Sequence, residues 1–185
     1  MAKKTKRAKT SRARPKSRAK PGMKAKATKL LERIGARVSA ARKGAKASAR
    51  RTLRKVRSKE SALAGNKRLV LAFYQKLIGE KDYAGARRYM GSDYRQHAPY
   101  AADGHAGVAE WVRKFKEAFP QHHYEVKRII AEGDLVMLHL HGKSGLHPYG
   151  ESVVDIFRIE NGKVVEHWDI IQAIPESADN ANSMF

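Results

Sequence analysis

The side chain with the clearest capacity for chemistry is Asp155, which sits inside an apolar run of Val153, Val154, Ile156 and Phe157. A carboxylate there is costly unless it is paired, hydrogen-bonded or protonated, so it is either a structural acid or one tuned for proton transfer. Histidines are natural partners for such a group. His139 and His141 alternate along the apolar stretch Leu135 to Gly142, and His97 follows Tyr94 in a short segment ending at Pro99. Two histidines at i and i+2 can polarise a carbonyl, relay a proton or ligate a metal. No third ligand at a recognised spacing accompanies them, so no metal is expected.

A hairpin must position Asp155. Ser152 to Gln172 reads as two strands joined at Asn161-Gly162, a dipeptide suited to a two-residue turn that needs positive φ at both centres. Counting back from the turn pairs Glu160 with Lys163, Ile159 with Val164, Phe157 with Glu166 and Asp155 with Trp168. Directly paired residues share a face. Asp155, Phe157, Glu166 and Trp168 are therefore expected on the pocket side, and His167 and Asp169 behind them. A single β-bulge would reverse that parity.

The rest of the folded region supplies helices and then strands. Asn66 to Gly79 reads as a helix, capped by Ser61 or Asn66, and Lys81 to Tyr89 as a shorter one. Gly104 to Phe119 is a third, with Val108, Trp111, Val112, Phe115 and Phe119 facing inward and Pro120 closing it. Four strand-like runs follow: Tyr124–Ala131, Leu135–Gly142, Val153–Ile159 and Val164–Ile171. Helices followed by sequential hairpins indicate an α+β fold with a mostly antiparallel sheet. His122 and His123 are expected on a surface loop.

Charge divides the chain. Residues 1–60 carry 24 Lys and Arg against Glu32 and Glu60, whereas all 14 aromatic residues and all 8 histidines lie beyond residue 60. The expected organisation is a basic arm over 1–60, a folded domain over 61–176 and a tail over 177–185. Ala2 to Lys26 has almost nothing to bury and should be disordered alone, with Pro15 and Pro21-Gly22 breaking any helix. From about Ala27, a basic amphipathic helix is expected, with Leu30, Ile34, Val38, Ala41 and Ala45 on one stripe. Such a run binds phosphate backbones by counterion release, without reading sequence. Lys3, Lys4, Lys6, Arg7, Arg12, Arg14, Arg50, Arg51 and Arg54 are the candidate contacts. An anionic-membrane anchor, a transit peptide and a solvated tail are the alternatives for the arm. The chain lacks cysteine, and no apolar run reaches membrane-span length. A cytoplasmic protein is expected, with nucleoid association if the arm holds nucleic acid.

Four segments together, LVLAFYQKLI, YRQHAP, GDLVMLHLH and VDIFRIENGKVVEHWDIIQ, resemble the SnoaL-like polyketide cyclase group of the nuclear transport factor two-like superfamily, over about residues 64–175. The arm resembles, in composition only, the tails of linker-histone-like bacterial proteins. The cyclase resemblance implies a cone of three helices packed on a curved sheet, homodimerisation through that sheet, and no metal or cofactor. It implies an acidic residue acting as general acid and base in an intramolecular aldol closure, or an isomerase-type proton transfer, on a small hydrophobic carbonyl compound. Asp155 takes that role, with His141 or His97 stabilising the enolate oxygen. Trp168, Phe157, Tyr94, His139 and Glu166 are the expected substrate contacts. The other reading is a non-catalytic ligand-binding or dimerisation module whose basic arm binds nucleic acid or another polyanion.

Overall fold

A computed structural model describes residues 21–185, so Lys3, Lys4, Lys6, Arg7, Arg12 and Arg14 lie outside the described residues. The chain forms two compact units, Met1–Leu53 and Arg54–Phe185. One helix, α1 (Pro21–Tyr74), runs from the first into the second. In the first unit it is helical and exposed throughout its described length from Gly22. Pro21 and Gly22 both lie within this helix as described. Ser61 and Asn66 accordingly cap no helix start, because α1 passes through both.

In the second unit α1 changes character. Val70, Phe73 and Tyr74 are buried, and a π-helical turn, Gln75–Gly79, ends the helix with Leu77 and Ile78 also inside. The expected helix over Lys81–Tyr89 is reduced to α2 (Tyr83–Ala86), capped by Asp82, and a 3-10 turn at Arg87–Tyr89. The extended segment after it is a true strand, β1 (Met90–Gln96). Helix α3 (Gly104–Ala118) follows, its N-cap Asp103 accepting from the Gly104 N–H. Gly107 is required there, since a Cβ would lie 1.9 Å from the Ala102 carbonyl oxygen.

Four long strands complete the unit: β2 (His123–Glu132), β3 (Leu135–Lys143), β4 (Glu151–Glu160) and β5 (Lys163–Ala173). The sheet order is β1-β5-β4-β3-β2, with β1 parallel to β5 and the other pairs antiparallel. This is the expected α+β architecture, helices packed on one face of a mostly antiparallel sheet. The inward face of β3, Val136, Leu138 and Leu140, is fully buried, while alternate residues are only partly covered. Phe73 meets Phe157 edge-on at 5.6 Å, tying α1 to the centre of the sheet.

The β4–β5 hairpin departs from the expected register. Asn161 and Gly162 are both at positive φ, and Glu160–Lys163 and Ile159–Val164 pair as the turn requires. Beyond them Arg158 pairs with Glu166, so Val165 is an extra residue in a β-bulge. Two contacts hold it. Arg158 Nε donates to Glu166 Oε2 at 2.6 Å across the bulge. Val165 packs against Gly91 of β1, where a Cβ would lie 2.7 Å from Val165 Cγ1. Every residue of β5 beyond the bulge therefore takes the opposite face from the one the turn alone would give.

Candidate functional site

A cavity of about 410 Å³ opens between the sheet and the helices of the second unit, and the bulge decides what faces it. Asp155 now pairs with Asp169 and Phe157 with His167, and these four side chains line one end. Asp155 is 4% exposed. Its Oδ1 lies 2.9 Å from His167 Nε2, and His167 Nδ1 lies 2.8 Å from Gln96 Oε1. Gln96 reaches this point because β1 runs parallel to β5 with Gln96 beside His167.

The proton inventory of this chain can be read from its donors. Gln96 Oε1 also accepts from the Ala98 N–H at 3.1 Å, which identifies it as the amide oxygen. An amide oxygen only accepts, so His167 Nδ1 carries a hydrogen and donates it. A single further proton then bridges Nε2 and Asp155 Oδ1, and the pair is either imidazolium–carboxylate or imidazole–carboxylic acid. Both forms are neutral overall, which makes burial of the pair tolerable. The ring is fixed further by stacking on Phe157, 4.8 Å between centroids.

Two other acids of the site are shaped by burial. The Asp169 carboxyl is pushed up from 3.8 to about 6 by its partial burial, so it exchanges protons close to neutrality. The phenol of Tyr74, also on the cavity wall, is raised well above its usual range, first by burial, then by the charge of Asp155 and by its hydroxyl leaning toward that carboxylate. Among the described residues no donor meets Asp155 Oδ2 in full hydrogen-bond geometry, and the Tyr74 phenol is the neighbouring donor that leans on this carboxylate. Asp155, His167 and Asp169 each offer an atom within 4.8 Å of the others'. Two carboxylates and an imidazole could approach one cation from these positions, but the imidazole is already hydrogen-bonded on both nitrogens.

The other expected site residues lie elsewhere. His139 and His141 are on the opposite face of β3 from the cavity. His139 Nδ1 accepts from Arg128 and its Nε2–H donates to Ser152, whereas His141 donates to the Tyr149 carbonyl. His97 stacks on Trp168 at 4.8 Å, and its Nε2 lies 2.9 Å from Glu166 Oε1. Reversed parity puts Trp168 and Glu166 behind the cavity, with Glu166 held by Arg158 as well as His97. Those hydrogen bonds, from His97 first, keep the Glu166 carboxyl below its usual range. Tyr94 is buried against His105 and does not line the cavity. Only Asp155 and Phe157 of the expected set share its wall. His122, expected on a surface loop, lines it too. Gln96 carries no sequence signal, since its role depends on a parallel pairing between distant segments.

This fold and acid-bearing cavity agree with a family model for SnoaL-like polyketide cyclases, which matches residues 68–179. The chain belongs to that family. AclR of Streptomyces galilaeus, whose description assigns a hydroxylase activity provisionally, is similar in structure, with TM-score 0.50 and 28% identity over 61% of this chain and 82% of AclR. TsrD of Streptomyces laurentii gives TM-score 0.50 at 18% identity, covering 58% of this chain and 88% of TsrD. A SnoaL-like protein of Jannaschia sp. CCS1 gives TM-score 0.50 at 21% identity, covering 58% and 85%. The last two show the shared fold alone. No curated protein matches the chain. Among the described residues no helix is long and apolar enough to cross a membrane.

Proposed function

We propose that the second unit is a cofactor-independent enzyme that moves a proton alpha to a carbonyl, with Asp155 as the base. The observation that carries this reading is a buried aspartate on the cavity wall whose Oδ1 is held by His167, while no donor among the described residues meets its Oδ2 in full hydrogen-bond geometry. Asp155 takes the α-proton from carbon. The resulting enolate attacks a second carbonyl of the same molecule, forming one C–C bond, and the new alkoxide is protonated by the Asp169 carboxyl or by the proton returned from Asp155. Atoms and protons balance, and the net reaction is an isomerisation. Without a second carbonyl, return of the proton to a different carbon gives an isomerase. His167 replaces His141 and His97 as the partner of Asp155, because those two lie off the cavity. Phe157 shapes the wall.

Deuterium wash-in at the C1 methylene of 2-tetralone, followed by proton NMR in D2O, tests the chemistry. The protein should accelerate exchange over buffer, and Asp155→Asn should lower the enzymatic rate by about 10²-fold or more, the usual worth of a positioned general base. Equal rates for the two proteins would refute the assignment.

A second reading concerns the arm. Between Val38 and Leu53 no residue is larger than alanine on the apolar side, while Arg42, Lys43, Lys46, Arg50 and Arg51 continue the positive charge. An interrupted apolar stripe suits a membrane interface poorly, whereas continuous charge suits a phosphate backbone. The absence of aromatic residues before Phe73 argues against base stacking. In the full chain, replacing Arg50, Arg51 and Arg54 with glutamine should flatten the log–log salt dependence of duplex DNA binding by up to about 2.7, roughly 0.9 per lost phosphate contact. An unchanged slope would remove these three from the interface. The outer sheet face, with Ile170 67% exposed, is the proposed homodimer surface, to be checked by sedimentation of Ile170→Glu.

A further inference from the structure

The cavity has a second polar end. On the inward face of β4, Glu151 lies four residues before Asp155, about 13 Å along the strand at 3.3 Å per residue. Glu151 is 7% exposed, and its Oε1 accepts from the Ser144 hydroxyl at 2.6 Å. Across the ladder from it stands Gly142. A Cβ at Gly142 would lie 3.3 Å from Glu151 Oε2 and 3.6 Å from His122 Nε2. The glycine thus leaves a notch rimmed by a carboxylate oxygen and an imidazole nitrogen, neither hydrogen-bonded within the described residues.

Burial without partners marks both ends of the cavity. Asp155 Oδ2 and His122 Nδ1 are the two buried side-chain polar atoms lacking a hydrogen bond among the described residues, and both belong to cavity-lining residues. The His122 imidazole is pushed down to about 4, first by burial and then by the Lys81 charge, so it is neutral at pH 7. Between the two ends the wall is aromatic, with Trp111 stacked on Phe115 at 4.9 Å and Phe115 edge-on to His122 at 4.9 Å. A buried acceptor and a neutral imidazole separated from the acid end by flat apolar rings describe a site for a flat molecule with a distal hydrogen-bond donor.

We propose that Glu151 and His122, at the Gly142 notch, form a distal subsite that binds a hydroxyl of an elongated, flat carbonyl compound whose other end lies at Asp155. The subsite rests on the proton-transfer reading for what happens at Asp155 but not for its own binding. It makes the cavity select by ligand length and by a donor at the far end. A hydroxyl would donate to Glu151 Oε2 and could exchange a second hydrogen bond with His122 Nε2.

Binding of 2-hydroxyanthraquinone and 2-methoxyanthraquinone to the full-length protein, followed by quenching of tryptophan fluorescence, tests this. The two probes share a flat skeleton and differ in the donor. The wild type should bind the hydroxyl compound at least tenfold more tightly, the lower end for a hydrogen bond to a charged acceptor. Glu151→Gln and, separately, His122→Phe should each reduce that preference at least threefold, and Gly142→Ala should weaken the hydroxyl compound by filling the notch. The proposal is overturned if the wild type shows no preference, if neither probe binds, or if the preference survives both Glu151→Gln and His122→Phe. Loss of tetralone exchange in the wild type alongside an intact preference would sink the proton-transfer reading and leave the subsite standing.

Discussion

Replacing His167 with phenylalanine isolates the hydrogen-bond chain that defines the site. Phenylalanine keeps the ring stacked on Phe157 and removes both hydrogen bonds, to Asp155 and to Gln96. The side chains of His167 and Asp155 are 12% and 6% exposed, so solvent cannot replace the lost partner. Breaking a buried pair from one side costs about 3–5 kcal/mol, against less than about 1 kcal/mol for an exposed pair. Urea unfolding read by tryptophan fluorescence reports the second unit, because Trp111 and Trp168 both lie in it. With a slope of about 2 kcal/mol per molar urea, the midpoint should fall by about 1.5–2.5 M. Adding Asp155→Asn to His167→Phe removes the stranded charge and should recover about 2 kcal/mol, a coupling that a double-mutant cycle reads directly. A loss below about 1 kcal/mol in the single variant, or no recovery in the double, would refute the claim that Asp155 and His167 are a mutually compensating buried pair.

Two further outcomes follow from the same geometry. Asp169, raised from 3.8 to about 6, binds its proton more tightly when folded, so its ionisation opposes folding. The penalty is absent below pH 4, grows between pH 4 and 6 and is complete above 6. The full gap is worth about 3 kcal/mol, and partial exposure reduces it to about 1–1.5 kcal/mol. Asp169→Asn should therefore stabilise the protein at pH 7.5 relative to wild type and not at pH 3.5, as read by urea midpoints at the two pH values. Gly91→Ala places a methyl 2.7 Å from Val165 Cγ1; an overpacking cost of about 1–3 kcal/mol is expected, with Val165→Ala restoring most of it. Failure of that rescue would show that the bulge does not lean on Gly91.

What the sequence determined by itself is local. The apolar alternation of β3, the Asn161-Gly162 turn, the α3 stripe and the split between a basic arm and an aromatic-rich body all depend on spacing or composition along a few residues. The order of helices followed by hairpins indicated the α+β fold, and an acid among valines is visible without coordinates. Tertiary structure decided which neighbours that acid keeps. Parity in a hairpin propagates one residue at a time, so the single extra residue Val165 turned His167 and Asp169 inward and sent Trp168 and Glu166 outward. Alternation along the hairpin does not announce the bulge, because one of the two contacts that hold it is with Gly91 on β1, some seventy residues earlier. The same distance hid Gln96, brought beside His167 by a parallel pairing, and His122, whose loop folds against Phe115. Asp155 was legible as a chemical group; its proton partner, and the second polar end of its cavity, exist only in the folded chain.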